Sequence, residues 1–184
     1  MKILGISGSL REDSHNTKLL RAAAREVPSD VAFEIYDGLR DVPPYDEDVD
    51  GDPHHPAVAR LREALAEADA VLFATPEYNH SLPGQLKNAL DWVSRPLVDN
   101  PVRFTPVAVV GASTGAFGAV WAQAELRKVL AAMGARVVEG DATLGYAHQR
   151  FDEEGELTDD EVREQLHAVL GQLVSEVHQN QLAA

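Results

Sequence analysis

Three short stretches gather the residues able to do chemistry. The first is Ser7-Gly8-Ser9-Leu10-Arg11-Glu12-Asp13-Ser14-His15-Asn16-Thr17. Ser9, Ser14, Asn16 and Thr17 can donate hydrogen bonds, and Arg11 adds a charged planar fork suited to phosphate. A helix starting here would add free N–H groups and a dipole that favour the same anion. The plainer reading is a loop whose Ser14 or Asn16 caps an ordinary helix. The second stretch, Thr75-Pro76-Glu77-Tyr78-Asn79-His80-Ser81, couples a proline-stiffened backbone to a tyrosine. It suits the edge and face of a flat heterocycle; otherwise it is a turn with Tyr78 half buried and Asn79 left-handed. The third, Gly111 to Gly118, holds three glycines and Ser113, so its backbone can come close to a ligand. An ordinary glycine-rich turn is its alternative.

The elements that must position these stretches follow from hydrophobic spacing. Residues 2–7 read as a continuous apolar strand, and Leu19, Leu20, Ala23, Ala24 and Val27 then share a helical face. Val31 to Tyr36 reads as a second strand, and Val58, Leu61, Leu65 and Ala68 mark a second helix. Ala70 to Ala74 is a buried third strand. Leu86, Ala89, Leu90 and Val93 give a third helix with Pro83 just inside its start. Val107 to Val110 is a fourth strand. Ala119, Trp121, Gln123 and Leu126 to Met133 cover a fourth helix, and Ala135 to Val138 is a fifth strand. Val162, Leu166, Val169, Leu170, Leu173 and Val177 stripe the last helix.

Strands alternating with helices, each strand apolar throughout, predict an α/β fold with a parallel sheet buried on both faces. Five such units predict a doubly wound five-stranded sheet of order 2-1-3-4-5 with helices on both faces. Its ligand crevice lies beyond the carboxyl ends of the strands, between the first and third. The three stretches follow strands one, three and four, so they converge there. A Rossmann dinucleotide domain would need G-x-G-x-x-G after the first strand, and Gly5-Ile6-Ser7-Gly8-Ser9-Leu10-Arg11 does not supply it.

The 184 residues fit one domain, spanning 1–184. With no cysteine there is no disulfide, thiolate metal site or cysteine nucleophile. A net charge of −14 repels phosphate backbones, so no nucleic-acid partner is expected. No apolar run reaches the length needed to span a membrane, which takes about 18 residues or more. The first residues lack the pattern of a secretory signal, so a cytoplasmic location is expected.

Gly8-Ser9-Leu10-Arg11 followed by Ser14 and Asn16 resembles the G-S-L-R-x-x-S-x-N loop of the NADPH-dependent FMN reductase family, which includes quinone, azo-dye and chromate reductases. Pro76-Glu77-Tyr78-Asn79-His80-Ser81-Leu82-Pro83-Gly84, then Leu86-Lys87-Asn88-Ala89-Leu90-Asp91-Trp92, resembles its P-E-Y-N-x-x-x-P-G-x-L-K-N-A-L-D-W signature. Val42 to Asp48 is similar to its acidic loop after strand two. The resemblance implies a flavodoxin-like fold that holds the FMN phosphate at Ser9, Arg11, Ser14, Asn16 and Thr17. It implies the isoalloxazine against Pro76, Glu77, Tyr78, Asn79, His80 and Ser81, with Ser113, Gly115 and their loop on the other side. It further implies NADPH or NADH as electron donor, a small acceptor such as a quinone, free flavin, azo compound or metal oxyanion, and a homodimer or homotetramer. No side chain is singled out as acid or base, and no 2′-phosphate clamp can be assigned to choose between NADPH and NADH. The competing readings are a flavodoxin-type electron carrier without NAD(P)H turnover and a binding module that keeps the fold without flavin.

Asp46-x-Asp48-x-Asp50-Gly51 opens like a calcium loop, but its twelfth position is Ala57 and no helices flank it. We therefore read Asp46 to Asp52 as a solvated acidic loop, His54-His55 as exposed, and no metal site. Trp92 and Trp121 read as core or interface residues. Thr158 with Glu161 reads as a capping box before the last helix.

Overall fold

The computed structural model describes residues 1–51 and 55–183. Its strands are β1 (Lys2–Ser7), β2 (Ala32–Tyr36), β3 (Ala70–Thr75), β4 (Pro106–Ala112), β5 (Arg136–Val137) and β6 (Thr143–Leu144). Its α-helices are α1 (His15–Glu26), α2 (Pro56–Ala66), α3 (Gly84–Val93), α4 (Val120–Ala132) and α5 (Asp160–Ala183). The strand order is β2-β1-β3-β4-β5, all pairs parallel, which is the expected flavodoxin-like order.

Successive side chains of a strand point to opposite faces, so each strand feeds two cores. Ile3, Leu72 and Val110 meet Leu19 and Leu20 of α1 and Leu166 and Leu170 of α5. Leu4, Phe73 and Val109 meet Leu61 of α2, Leu90 and Trp92 of α3, and Leu126 of α4. The predicted stripe of α5 is buried at every position. Trp92 is 1% exposed, and its indole N–H donates to the Pro43 carbonyl at 2.8 Å. Asn88 makes two contacts nearby, accepting from the Tyr45 N–H at 2.7 Å and donating to Pro43 at 2.8 Å. Much of the Leu86 to Trp92 motif thus serves to hold the 42–45 loop against α3.

The structure adds a strand, corrects two expectations and narrows a third. β5 lies within the expected fifth strand, Ala135 to Val138, and a short sixth strand follows it. β5 pairs with the start of β4, and β6 pairs with its end at Gly111 and Ala112. Between them the chain leaves the sheet at Gly140, whose φ of 145° suits glycine. Arg127 fills the gap: its guanidinium donates to the Val109 carbonyl at 2.8 Å and to the Gly140 carbonyl at 3.0 Å. The cap of α5 is Asp159, not Thr158, because Asp159 Oδ1 accepts from the Val162 N–H at 3.1 Å. Pro83 is the cap residue just outside α3 rather than its first residue. Of the two readings given to Trp121, core and interface, the core one does not hold: it lies off the buried face of α4, which is made of Ala122, Gln123, Leu126 and Leu130, and is 42% exposed.

In the acidic loop, Asp46 caps a single 3₁₀ turn at Glu47–Val49 by accepting from the Asp48 N–H at 3.0 Å. Asp52 and His54 lie outside the described residues. Among the described residues no cluster of three or more potential metal ligands exists, and no helix is long and apolar enough to cross a membrane.

Candidate flavin site

Ser14 begins the site. Its extended backbone ends the loop after β1, and its hydroxyl accepts the Thr17 N–H at 3.3 Å, so it is the N-cap of α1. That leaves the backbone N–H groups of His15 and Asn16 pointing out of the first turn, where an anion is favoured. The Asn16 side chain is not free to add to them. It is buried, its amide oxygen accepts the Ala112 N–H at 2.9 Å and its amide nitrogen donates to the Ala112 carbonyl at 2.9 Å. Asn16 therefore bolts the first turn of α1 to the end of β4 and fixes the distance between two of the three loops.

The loop after β3 turns back on itself. Tyr78 and Ser81 exchange both backbone hydrogen bonds, at 3.0 and 3.1 Å, across a two-residue turn. Asn79 and His80 both have positive φ, 54° and 60°, as a type I′ turn requires. Glu77 has a further task. Its Oε2 accepts the N–H groups of Trp121 and Ala122 at 3.0 and 3.2 Å. The residue before α4, Ala119, offers no side-chain cap, so Glu77 caps that helix from a distance. The His80 ring sits 3.5 Å from the other Glu77 oxygen and edge-on to Trp121 at 4.7 Å.

The loop after β4 is held from beyond. Ser113 accepts the Ala147 N–H at 3.0 Å on its carbonyl, and Gly115 accepts the Tyr146 N–H at 3.0 Å. Gly118, at φ 54°, sits so near β6 that a Cβ would lie 2.4 Å from Thr143 Cγ2.

These loops enclose a cavity of about 100 Å³ that brings together Ser9, Arg11, Ser14, Asn16, Pro76, Glu77, Tyr78 and Ser113 of the predicted residues. The same cavity adds His15, Ala112 and Thr114, which the sequence reading did not single out. His15 stands at the first helical position after the cap, and Thr114 lies between two residues that were named; both were findable on those grounds. The remaining predicted residues fall outside the lining. Thr17 points its hydroxyl at Ser7 Oγ, 3.0 Å away. Asn79 and His80 form the exposed tip of the turn, the Ser81 hydroxyl contacts the Glu125 carboxylate, and the Gly115 N–H donates to Ser113 Oγ at 3.1 Å.

The residues present fit FMN. At one end are first-turn N–H groups, hydroxyls and the Arg11 guanidinium, which has no carboxylate partner among the described residues and so keeps its charge for a phosphate. At the other is Tyr78, 50% exposed and able to lie against a ring. His15 Nδ1 is buried without a partner. The ring stacks on Phe151 at 5.9 Å. Burial, with Lys18 and Arg11 nearby, holds the imidazole below the usual histidine range, so it is neutral beside the anion seat at neutral pH.

Residues 1–149 match the NADPH-dependent FMN reductase family. The chain is 44% identical over 165 residues to an NAD(P)H-dependent FMN reductase of Pseudomonas aeruginosa, covering 89% of this chain and 88% of that one. It is 38% identical over 172 residues to a 2-hydroxy-1,4-benzoquinone reductase of a Burkholderia species, covering 92% of each. Among solved structures it superposes on a flavoenzyme NAD(P)H:(acceptor) oxidoreductase of Paracoccus denitrificans with a TM-score of 0.83 at 32% identity over 97% of both chains. A sheet of this order, an anion seat opening α1 and matches of this length agree, and the chain belongs to the NADPH-dependent FMN reductase family.

Proposed function

We propose that this chain is an FMN-dependent NAD(P)H oxidoreductase whose terminal acceptor is a small, flat oxidant of the quinone type. The observation that carries it is the two-ended cavity, with anion donors at one end and the half-exposed Tyr78 at the other. FMN, when bound, supplies the chemistry of hydride acceptance and onward electron transfer.

This chain's residues supply position and electrostatics. Arg11, Ser9 and the first turn of α1 hold the phosphate. Asn16 sets the spacing between the anion seat and the loop after β4. The Glu77 carboxylate ties the Tyr78 turn to α4, so the surface that would meet a ring is fixed before any ligand arrives. Tyr78 is half exposed, and an open ring face of this kind admits donor and acceptor in turn. The quinone chemistry in the name of the Burkholderia relative supports the acceptor class.

We further propose a cytoplasmic homodimer or homotetramer. The exposed Phe117, Val120 and Trp121 beside the site support association, and light scattering on the FMN-loaded protein tests it.

The reaction is tested by mixing FMN-loaded protein with NADPH or NADH without oxygen and following flavin absorbance. Rapid bleaching, with recovery on adding a quinone, is the expected result. Bleaching by dithionite alone overturns the reading in favour of an electron carrier.

A further inference from the structure

Beside the flavin cavity, on the far side of the loop after β1, lies a second and larger cleft of about 360 Å³. It opens at the carboxyl ends of β1 and β2, where open α/β sheets bind ligands. Three arginines line it: Arg11 from the loop, Arg21 from α1 and Arg40 from the 3₁₀ turn after β2. Asp37, directly after β2, is the carboxylate facing them, and Ile35 and Leu39 form an apolar part of the wall.

The charge placement is unusual for this molecule. The chain carries 30 acidic residues against 16 lysines and arginines. Arg25, Arg60, Arg127, Arg136, Arg150 and Arg163 each pair with a carboxylate. Among the described residues Arg11, Arg21, Arg40, Arg62, Arg95 and Arg103 form no such ion pair, and the first three of these share this cleft, where the Arg40 guanidinium donates to the Leu10 carbonyl. In so acidic a chain, like charges left unpaired in one cleft hold a local positive potential that serves an anion. Arg11 lines both cavities, so a ligand in the cleft is a neighbour of the flavin phosphate.

We propose that this cleft takes the adenosine end of the nucleotide donor, with Arg21 and Arg40 on its 2′-phosphate and Asp37 accepting from a ribose hydroxyl, so that the enzyme prefers NADPH to NADH. A guanidinium fork matches a phosphate dianion, and with the 2′-oxygen esterified the 3′-hydroxyl is the ribose donor left for Asp37. The proposal rests on the NAD(P)H reading above and adds its specificity. No local spacing announces the cleft, because Arg11, Arg21 and Arg40 come from three separate elements.

The test uses the FMN-loaded protein and two readouts. In kinetics, Arg21→Ala is expected to lower kcat/KM for NADPH by about 10- to 150-fold, the size of one charged hydrogen bond, and to leave NADH within about twofold. Arg21→Lys is expected to recover part of the loss, and Arg21→Glu to deepen it. In equilibrium binding by calorimetry, wild-type protein is expected to bind 2′,5′-ADP more tightly than 5′-ADP, with Arg21→Ala removing the difference. Equal binding of the two nucleotides by wild-type protein overturns the proposal, as does an Arg21→Ala variant that weakens NADPH and NADH alike. In either case continued bleaching by NADH leaves the reductase reading intact; wild-type protein bleached by neither donor fails that reading instead.

Discussion

Arg11 stands where two cavities meet, exposed and without a carboxylate partner among the described residues. Replacing it with alanine is expected to weaken FMN binding by about 10- to 150-fold, as for loss of one charged hydrogen bond, measured by titration of flavin fluorescence. His15 gives a second prediction at this scale. Its folded-state pKa is depressed by burial. The stability it contributes is therefore whole above its unfolded value, about 6.5, and is lost as pH falls through the lower folded value. Thermal midpoints of the flavin-free protein are expected to decline on that acidic side, and His15→Asn to flatten the decline. The lining residues Ser9, Arg11, Ser14 and Tyr78 were legible because they sit in local patterns with local meaning. The second duties of Glu77 and Asn16 were not. Glu77 reaches a helix 44 residues away and Asn16 a strand end 96 away. Spacing along the chain carries no sign of such pairings.

Among the elements, α4 depends on a residue outside itself. Its first turn lacks a side-chain cap of its own, and Glu77 supplies two acceptor contacts. Glu77→Ala is expected to cost about 0.5–2 kcal/mol, the usual value of a cap. Calorimetry should show this as a lowered melting temperature while the overall fold persists. The strands and the helical stripes were readable because apolar runs and 3.6-residue spacing report burial directly. The fifth strand was readable within Ala135 to Val138, where β5 lies; the sixth was not, because the interruption before it depends on Gly140 and on Arg127 from another element. The α5 cap was misplaced by one residue because Thr158 and Asp159 both suit the role. Asp159 takes it, while the Thr158 N–H donates to the Arg150 carbonyl at 2.9 Å.

For the whole molecule, one sheet divides two cores, and the core that α1 shares does not close without the last helix. Leu166, Val169, Leu170, Leu173 and Val177 cover the face built by Ile3, Leu72 and Val110. Burying five such side chains is worth about 1.5–3 kcal/mol each, which rivals a typical total stability of about 5–15 kcal/mol. A chain ending at residue 158 is expected to lose cooperative unfolding, read by circular dichroism on heating. The family match stops at residue 149, yet α5 completes the core beneath the phosphate seat.

The break between β5 and β6 bears on how the protein behaves when crowded. A long, straight border strand offers a row of unpaired backbone groups on which a neighbouring chain can lengthen the sheet. Here that border is cut to a two-residue strand, and the guanidinium of Arg127 occupies the gap behind it. A foreign strand finds too little ladder to grip. Substituting Arg127 would expose the Val109 carbonyl, and the cost would surface as self-association during refolding at high concentration.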